Sequence, residues 1–227
     1  MTSKPTFPLP CLALVTDRNL CISSTLEQSV DMAIRGGVNL IQLREKDLPS
    51  SSLLKIAQSL RLLTKNRAFF VINERIDVAL ACEADGIQLG EQSIPANIAK
   101  HIIGSRMLIG RSVHTLEGAI EAQKAGADFI ILGTIFKNYL NQTRHRGMAG
   151  IDLVSRVSKA TGIPVIAIGG ITKANAGYCI QAGASGVAVI TAILGTLEVS
   201  QASREIWTAV KQSWVDLQGL HRIGEGF

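Results

Sequence analysis

The sequence predicts an α/β fold, a single closed (β/α)8 TIM barrel, and three observations carry that expectation. Eight short, almost wholly apolar runs recur along the 227 residues, as strands buried on both faces require. A helix end, short turn and strand recur at 36–41, 83–87, 125–130 and 182–187, with glycine or a substitute at the helix end. The chain is 47% hydrophobic but only 4% aromatic, so its core is built from Val, Ile, Leu and Ala. Such material suits parallel strands covered by helices better than a platform for stacking bases. Eight near-equal units with no strong dinucleotide fingerprint favour closure over the alternative, a doubly wound open sheet.

The strands are expected at 12–16, 40–44, 69–73, 86–89, 108–112, 129–133, 165–169 and 186–190. Between the second and third, Leu53, Leu54, Ile56, Ala57, Leu60 and Leu63 form one helical face after a serine start signal at 50–52. After the fifth, Thr115 is placed to cap a helix bearing Ala119, Ile120 and Ala122, with Glu117 in its first turn. The barrel is expected to occupy 1–227 as one domain, with the leader 1–10 and the tail 215–227 peripheral. The tail, carrying Gly219, Gly224 and Gly226, is expected to fray or pack loosely.

A net charge of +5 comes from scattered residues, the densest group being Arg144, His145 and Arg146. Phosphorylated anions explain that excess better than nucleic acid, so no nucleic-acid partner is expected. No run approaches 18 apolar residues and the first ten residues hold no apolar signal core, so no membrane association is expected. Cys11, Cys21, Cys82 and Cys179 lack the close spacing of zinc or redox motifs. They read as free thiols, and the expected location is cytoplasmic.

In such a barrel the chemistry lies at the C-terminal ends of the strands. At 42–46 the chain reads Q-L-R-E-K; alternation puts Gln42, Arg44 and Lys46 on one face, costly to bury unless an anion meets them. The alternative is a rim pairing of Arg44 and Lys46 with Glu45 or Asp47. Asn73 and Glu74 end the third strand, offering either a polar contact and a Mg²⁺ ligand or, for Asn73, a helix cap. His114, just past the fifth strand, is the histidine placed for acid/base work, against a purely structural role. His101 and His221 are expected to face solvent. The loop 133–150, with Arg144, His145 and Arg146, is either a lid over an anion or a solvated loop. Gly169 and Gly170 end the seventh strand, with Thr172 placed to cap the next helix. They and the end of the eighth strand hold a phosphate, or make only a tight turn.

Taken together, V-T-D (15–17), Q-L-R-E-K (42–46), F-V-I-N-E (70–74), A-D-G-I-Q-L-G (84–90), G-R-S-V-H-T (110–115), A-D-F-I-I-L-G-T-I-F (127–136), I-P-V-I-A-I-G-G-I (163–171) and G-A-S-G-V-A-V-I-T-A-I (183–193) resemble the thiamine phosphate synthase/TenI superfamily. The resemblance implies thiamine biosynthesis on small phosphorylated thiazole and pyrimidine substrates. It offers two activities: condensation of a pyrimidine pyrophosphate with a thiazole phosphate, or tautomerisation of a carboxythiazole phosphate.

By resemblance, Gln42, Arg44 and Lys46 hold the pyrophosphate, Asn73 the pyrimidine, and Ser112 faces the same ligand. Gly170, Ile190 and Thr191 take the thiazole phosphate, Thr191 standing where the family usually has serine. The two magnesium aspartates of synthases are replaced by Glu74 and Ser93, the T-x-T-K loop motif is missing, and Gln88 stands where many synthases carry histidine. These departures, with the TenI-like G-R-S-V-H-T and Q-L-G-E-Q-S, give the expectation of a tautomerase with His114 as acid/base and no cofactor. The alternative is a synthase using Mg²⁺ at Glu74; a non-catalytic binder or regulator of phosphate ligands is the third reading. A homo-oligomer is compatible with all three.

Overall fold

The structure, a computed structural model, describes residues 5–22, 24–136 and 150–224. Expectations that fall on 1–4, 137–149 (with Arg144, His145 and Arg146) and 225–227, as well as the side chain of His221, lie outside the described residues. The strands are β1 (Cys11–Val15), β2 (Leu40–Leu43), β3 (Phe69–Asn73), β4 (Gly86–Leu89), β5 (Leu108–Val113), β6 (Phe129–Gly133), β7 (Val165–Ile168) and β8 (Gly186–Val189). Each pairs in parallel with the next, and β8 returns to β1, closing the barrel.

The helices are α1 (Leu26–Arg35), α2 (Ser50–Thr64), α3 (Ile76–Ala81), α4 (Ala96–Ile103), α5 (Leu116–Lys124), α6 (Gly150–Ala160), α7 (Ala176–Gln181), α8 (Thr191–Leu194) and α9 (Val199–Gly224). The recurring unit appears as a positive φ just before a strand, at Gly37, Glu83, Gly126 and Gly183. Only at Glu83 does a side chain bear the steric cost of that conformation. Thr115 caps α5 as its sequence position requires, its hydroxyl accepting from the Gly118 N–H.

Period-two alternation divides every strand. Leu12, Leu14, Ile41, Leu43, Phe70, Ile72, Ile87 and Leu89 face outward into the layer shared with the helices. Cys11, Ala13, Val15, Leu40, Phe69, Val71, Leu108, Phe129, Ile131, Ile166 and Ala188 fill the inside. One step further along the inward rows the apolar filling stops, and Gln42, Asn73, Gln88 and Ser112 follow on β2 to β5. The barrel therefore has an apolar floor and a polar tier above it, on the side where β-strands end.

At the N-terminal end the packing is closer than expected, and at the C-terminal end the tail stays helical while its described side chains after Trp214 remain unburied, as loose packing predicts. Phe7, within the leader expected to be peripheral, packs its ring against Phe129 at 4.7 Å and Phe69 at 5.8 Å between centroids. Those two residues open β6 and β3, so Phe7 seals the N-terminal end of the barrel, where an apolar plug keeps water from the core. At the other end, α9 runs unbroken through Gly219 to Gly224 instead of fraying after Trp214. Its buried Val199, Ile206 and Val210 anchor the helix, and it packs against α1 and α7. No helix among the described residues is long and apolar enough to cross a membrane.

Replacing Phe7 by Ala uncovers the floor, and a loss of roughly 2 kcal/mol is expected from the apolar area returned to water. Urea denaturation of Phe7→Ala should show a lower midpoint at unchanged slope; an unchanged midpoint would mean the ring adds nothing to the fold.

Candidate functional site

The polar tier is organised by one carboxylate. Glu74 follows β3 with φ of 60°, a left-handed turn that a non-glycine residue rarely adopts. Its backbone N–H donates to the Gln88 carbonyl at 2.9 Å, which ties the turn to β4. Three side chains converge there. Ser93 donates its hydroxyl to Oε1 at 2.8 Å, Lys46 Nζ stands 3.2 Å from Oε2, and Asn73 Nδ2 donates to Oε2 at 3.2 Å. Asn73 Oδ1 in turn accepts from Gln42 Nε2 at 3.0 Å. Partial burial pushes the Glu74 carboxyl up, but the bonds from Ser93, Lys46 and Asn73 outweigh it and hold the group below its ordinary value.

The rim pairing weighed for Arg44 and Lys46 does not form. Glu45 and Asp47 are both taken by Arg18, through Nη1 to Glu45 at 3.0 Å and through a second contact to Asp47. Lys46 goes to Glu74 instead. Arg44 is half-buried, and its guanidinium has no hydrogen-bond or ion-pair partner among the described residues, while its backbone N–H donates to Thr16 Oγ1 at 2.9 Å. Asn73 does not cap a helix either, since α3 begins at Ile76 with Arg75 in the cap position.

On the next strands, Gln88 Nε2 donates to Ser112 Oγ at 2.9 Å. Gln88 lies across Gly110, where a Cβ would come within 2.1 Å of its Oε1 and 2.3 Å of the Phe129 ring, so only glycine fits. Gln42 and Gln88 are 4% and 1% exposed, and each leaves its Oε1 buried with no partner among the described residues. A buried amide oxygen without a donor costs free energy, so each is a candidate for an internal bound water.

His114 lies on the same rim. Its Nδ1 contacts the Gly133 carbonyl oxygen, and Nε2 stands 3.7 Å from Glu91 Oε1. A carbonyl only accepts, so Nδ1 carries the proton and Nε2 is the nitrogen turned toward Glu91. Across the barrel, Gly169 and Gly170 have φ of 103° and 65°. A Cβ at Gly169 would lie 2.5 Å from Thr134, and one at Gly170 2.8 Å from the Phe136 carbonyl oxygen. Close approach of the segment after β6 therefore already demands both glycines. Thr172 does not cap α7. Its own N–H donates to Asn175 Oδ1 at 2.8 Å, because a turn intervenes before the helix, and Asn175 Nδ2 holds the Gly170 carbonyl at 3.0 Å. Ile190 and Thr191 stand at the junction of β8 and α8.

Gln42, Lys46, Asn73, Glu74 and Ser93 are thus joined in one bonded network, and Ser112 is linked to Gln88 beside it. Gly170, Ile190 and Thr191 lie at the far side of the same barrel end, as strands seven and eight of eight must. Among the described residues no three His, Cys, Asp or Glu side chains gather as a metal cage. The sequence marks Gln88 only as a departure from the family's histidine and gives Glu91 no role, yet both lie at this end of the barrel. For Gln88 the signal was present, a polar residue at an inward position of a strand otherwise buried.

The sequence profile of the thiamine monophosphate synthase (TMP-TENI) family matches residues 12–193. The chain belongs to this family. Among its relatives, the thiamine-phosphate synthase of Clostridium tetani is 38% identical over 196 residues, covering 86% of this chain and 93% of that protein. The thiamine-phosphate synthase of Haloarcula marismortui is 40% identical over 204 residues, covering 88% and 96%. The solved thiamine phosphate pyrophosphorylase of Pyrococcus furiosus superposes with a TM-score of 0.82 at 37% identity, over 89% of this chain and 96% of its own. These family members are named for the transfer reaction, and the tautomerase expectation finds no support in them. That expectation leaned in part on Ser93 in place of a carboxylate, yet here the Ser93 hydroxyl donates to Glu74 and closes this chain's own network.

The lowered carboxyl of Glu74 stabilises the fold fully above its unfolded value near 4.5 and loses that contribution as pH falls further. In urea denaturation, Glu74→Gln should be less stable than wild type at pH 7, with a gap that narrows progressively below pH 4.5. A gap independent of pH would show that the charge of Glu74 is not what its neighbours stabilise.

Proposed function

We propose that this barrel is a thiamine-phosphate synthase, a transferase that joins a pyrimidine methyl diphosphate to a thiazole phosphate and releases pyrophosphate. The observation that supports it best is the cation pair at the end of β2. Arg44 has no partner among the described residues, and Lys46 is steered over the polar tier by Glu74 at 3.2 Å. A transferase that expels pyrophosphate needs positive charge where the leaving oxygen becomes anionic, in a site drier than bulk water.

In the reaction the methylene carbon–oxygen bond of the pyrimidine diphosphate breaks, its electron pair going to the departing phosphate oxygen. The thiazole nitrogen supplies the pair for the new carbon–nitrogen bond. Arg44 and Lys46 hold the diphosphate and meet the developing charge. Asn73 fixes the pyrimidine ring, with Ser112 beside it, and Gln42, expected at the diphosphate, joins Asn73 at the ring because its amide is bonded to Asn73 at 3.0 Å. Gly170, Ile190 and Thr191 hold the thiazole phosphate at the opposite rim. The thiazole nitrogen has a free pair, so the condensation needs no proton shuttle and His114 serves as part of the wall.

Mg²⁺ is the metal the family implies, and the donor set fits it as a one-carboxylate site. Glu74 supplies the charge and Ser93 a hydroxyl oxygen 2.8 Å from it, a poor cage alone but adequate when diphosphate oxygens and water complete the shell. When bound, Mg²⁺ neutralises diphosphate charge and improves the leaving group.

Purified protein with Mg²⁺ and both substrates should form thiamine phosphate, and Arg44→Ala should lower kcat/KM by about 10²-fold or more. His114→Ala should keep the condensation within about tenfold of wild type, below the usual range for losing a general acid or base. Tautomerisation of a carboxythiazole phosphate without condensation, abolished by His114→Ala, would overturn the proposal.

A further inference from the structure

We infer that Arg18 is a positioning residue: by holding Glu45 and Asp47 it keeps the acids of the segment after β2 off their neighbouring cations and leaves Arg44 and Lys46 to an anionic ligand. The inference rests on the synthase reading for the ligand, a diphosphate, and on bonded geometry for the rest.

The segment reads Arg44, Glu45, Lys46, Asp47, two cations interleaved with two acids. Its charges sum to zero, so the segment by itself draws an anion no better than a neutral surface. Side chains this close along the chain can pair with one another at the rim, and each such pair takes a cation from the ligand. What separates the two signs is a residue from another strand. Arg18 stands in the 3-10 turn Arg18–Leu20 that follows β1. β1 and β2 pair in parallel, and at their ends the Thr16 N–H donates to the Gln42 carbonyl at 2.9 Å. The Arg44 N–H donates to the Thr16 hydroxyl at 2.9 Å. The two loops therefore leave the barrel side by side, in one register.

The Arg18 fork reaches both acids at once. Nη1 donates to Glu45 Oε2 at 3.0 Å and to Asp47 Oδ1 at 2.7 Å, and Nη2 donates to Asp47 Oδ2. A lysine, a point charge on a flexible stem, offers no such planar fork. The two acids are held differently. Glu45 is buried and also accepts from the Arg18 backbone N–H, at 3.1 Å to Oε1, a bond that does not depend on the side chain at 18. Asp47 is exposed, and its carboxylate has no other side-chain partner among the described residues. Loss of the guanidinium thus releases Asp47 and leaves Glu45 partly tied.

A freed Asp47 carries its charge next to Lys46 and three residues from Arg44, where it competes with a diphosphate for both. Glu74 already pairs with Lys46 at 3.2 Å. Without Arg18, three acids, Glu45, Asp47 and Glu74, stand against two cations.

The test is a double-variant cycle read by calorimetry, with inorganic pyrophosphate and Mg²⁺ as the probe. Arg18→Ala should weaken binding by about fivefold or more, the upper end for an exposed ion pair turned onto the cations. Asp47→Asn alone should shift affinity by less than about twofold, because Arg18 already holds that acid away. Arg18→Ala/Asp47→Asn should return to within about twofold of wild type, since an amide has no charge to set against Lys46 or Arg44. If Arg18→Ala does not fold, Arg18→Gln, whose amide can still donate to Glu45, carries the same comparison.

Bare loss of a positive charge gives additive effects, with Asp47→Asn tightening binding equally in both backgrounds, and that result overturns the inference. So does a double variant as weak as Arg18→Ala, the outcome of a merely structural role, and so does unchanged binding in Arg18→Ala. Each of these leaves the synthase reading intact, because wild type still binds pyrophosphate. Failure of wild type to bind it overturns the two together.

Discussion

The convergence of Lys46, Asn73 and Ser93 on the Glu74 carboxylate is the interaction on which the candidate site depends. Each partner comes from a different place: Lys46 from beyond β2, Asn73 from the end of β3, Ser93 from the loop after β4. Without a common acceptor these side chains have no reason to share one orientation, and Lys46, which stays largely exposed, would have no partner to direct it. The left-handed turn at Glu74, with φ of 60°, is the local cost of bringing the acceptor to them. The backbone bond from Glu74 to the Gln88 carbonyl, at 2.9 Å, helps to hold that turn in place.

Beneath this network the barrel's alternation does the positioning. Inward residues below the mouth are apolar and tightly packed, and Gly110 is small because Gln88 and Phe129 occupy the space its side chain would need. The polar tier therefore rests on a floor that cannot sink. Gln42, Asn73 and Gln88 keep their depth because the rows below them are full, and Phe7 closes the end that the strands leave open. A site built this way owes its geometry to packing and its chemistry to a handful of groups at the rim.

Much of this was legible in the sequence. Eight unalternating apolar runs gave the barrel, and the Gln42, Arg44, Lys46 spacing gave one face of a strand end, because both signals are set by local periodicity. Less legible was anything decided by competition between distant groups. Arg18 takes Glu45 and Asp47, which frees Lys46 for Glu74, and neither event has a local signature. The continuation of α9 past Gly219 was missed for a related reason. A single glycine costs a helix about 1 kcal/mol, and a long helix anchored by buried residues in its first half, from Val199 to Ser213, absorbs that. Position alone marks Thr172 as a cap, but a turn lies between it and α7, where Asn175 takes the cap position.

Ser93 shows how a departure from a family pattern can keep a local structural role. Judged as a metal ligand, a serine in place of a carboxylate removes a negative charge from the site. Judged within the network, its hydroxyl accepts from the Gly90 N–H at 3.0 Å and donates to Glu74 at 2.8 Å, so the loop after β4 stays fastened to the carboxylate. With a hydroxyl in that place, Glu74 is the one acidic group at this point of the network among the described residues, and Lys46 pairs with it at 3.2 Å without a second acid competing. On the proposed synthase reading, a divalent cation there would draw more of its oxygen ligands from the substrate than from the protein.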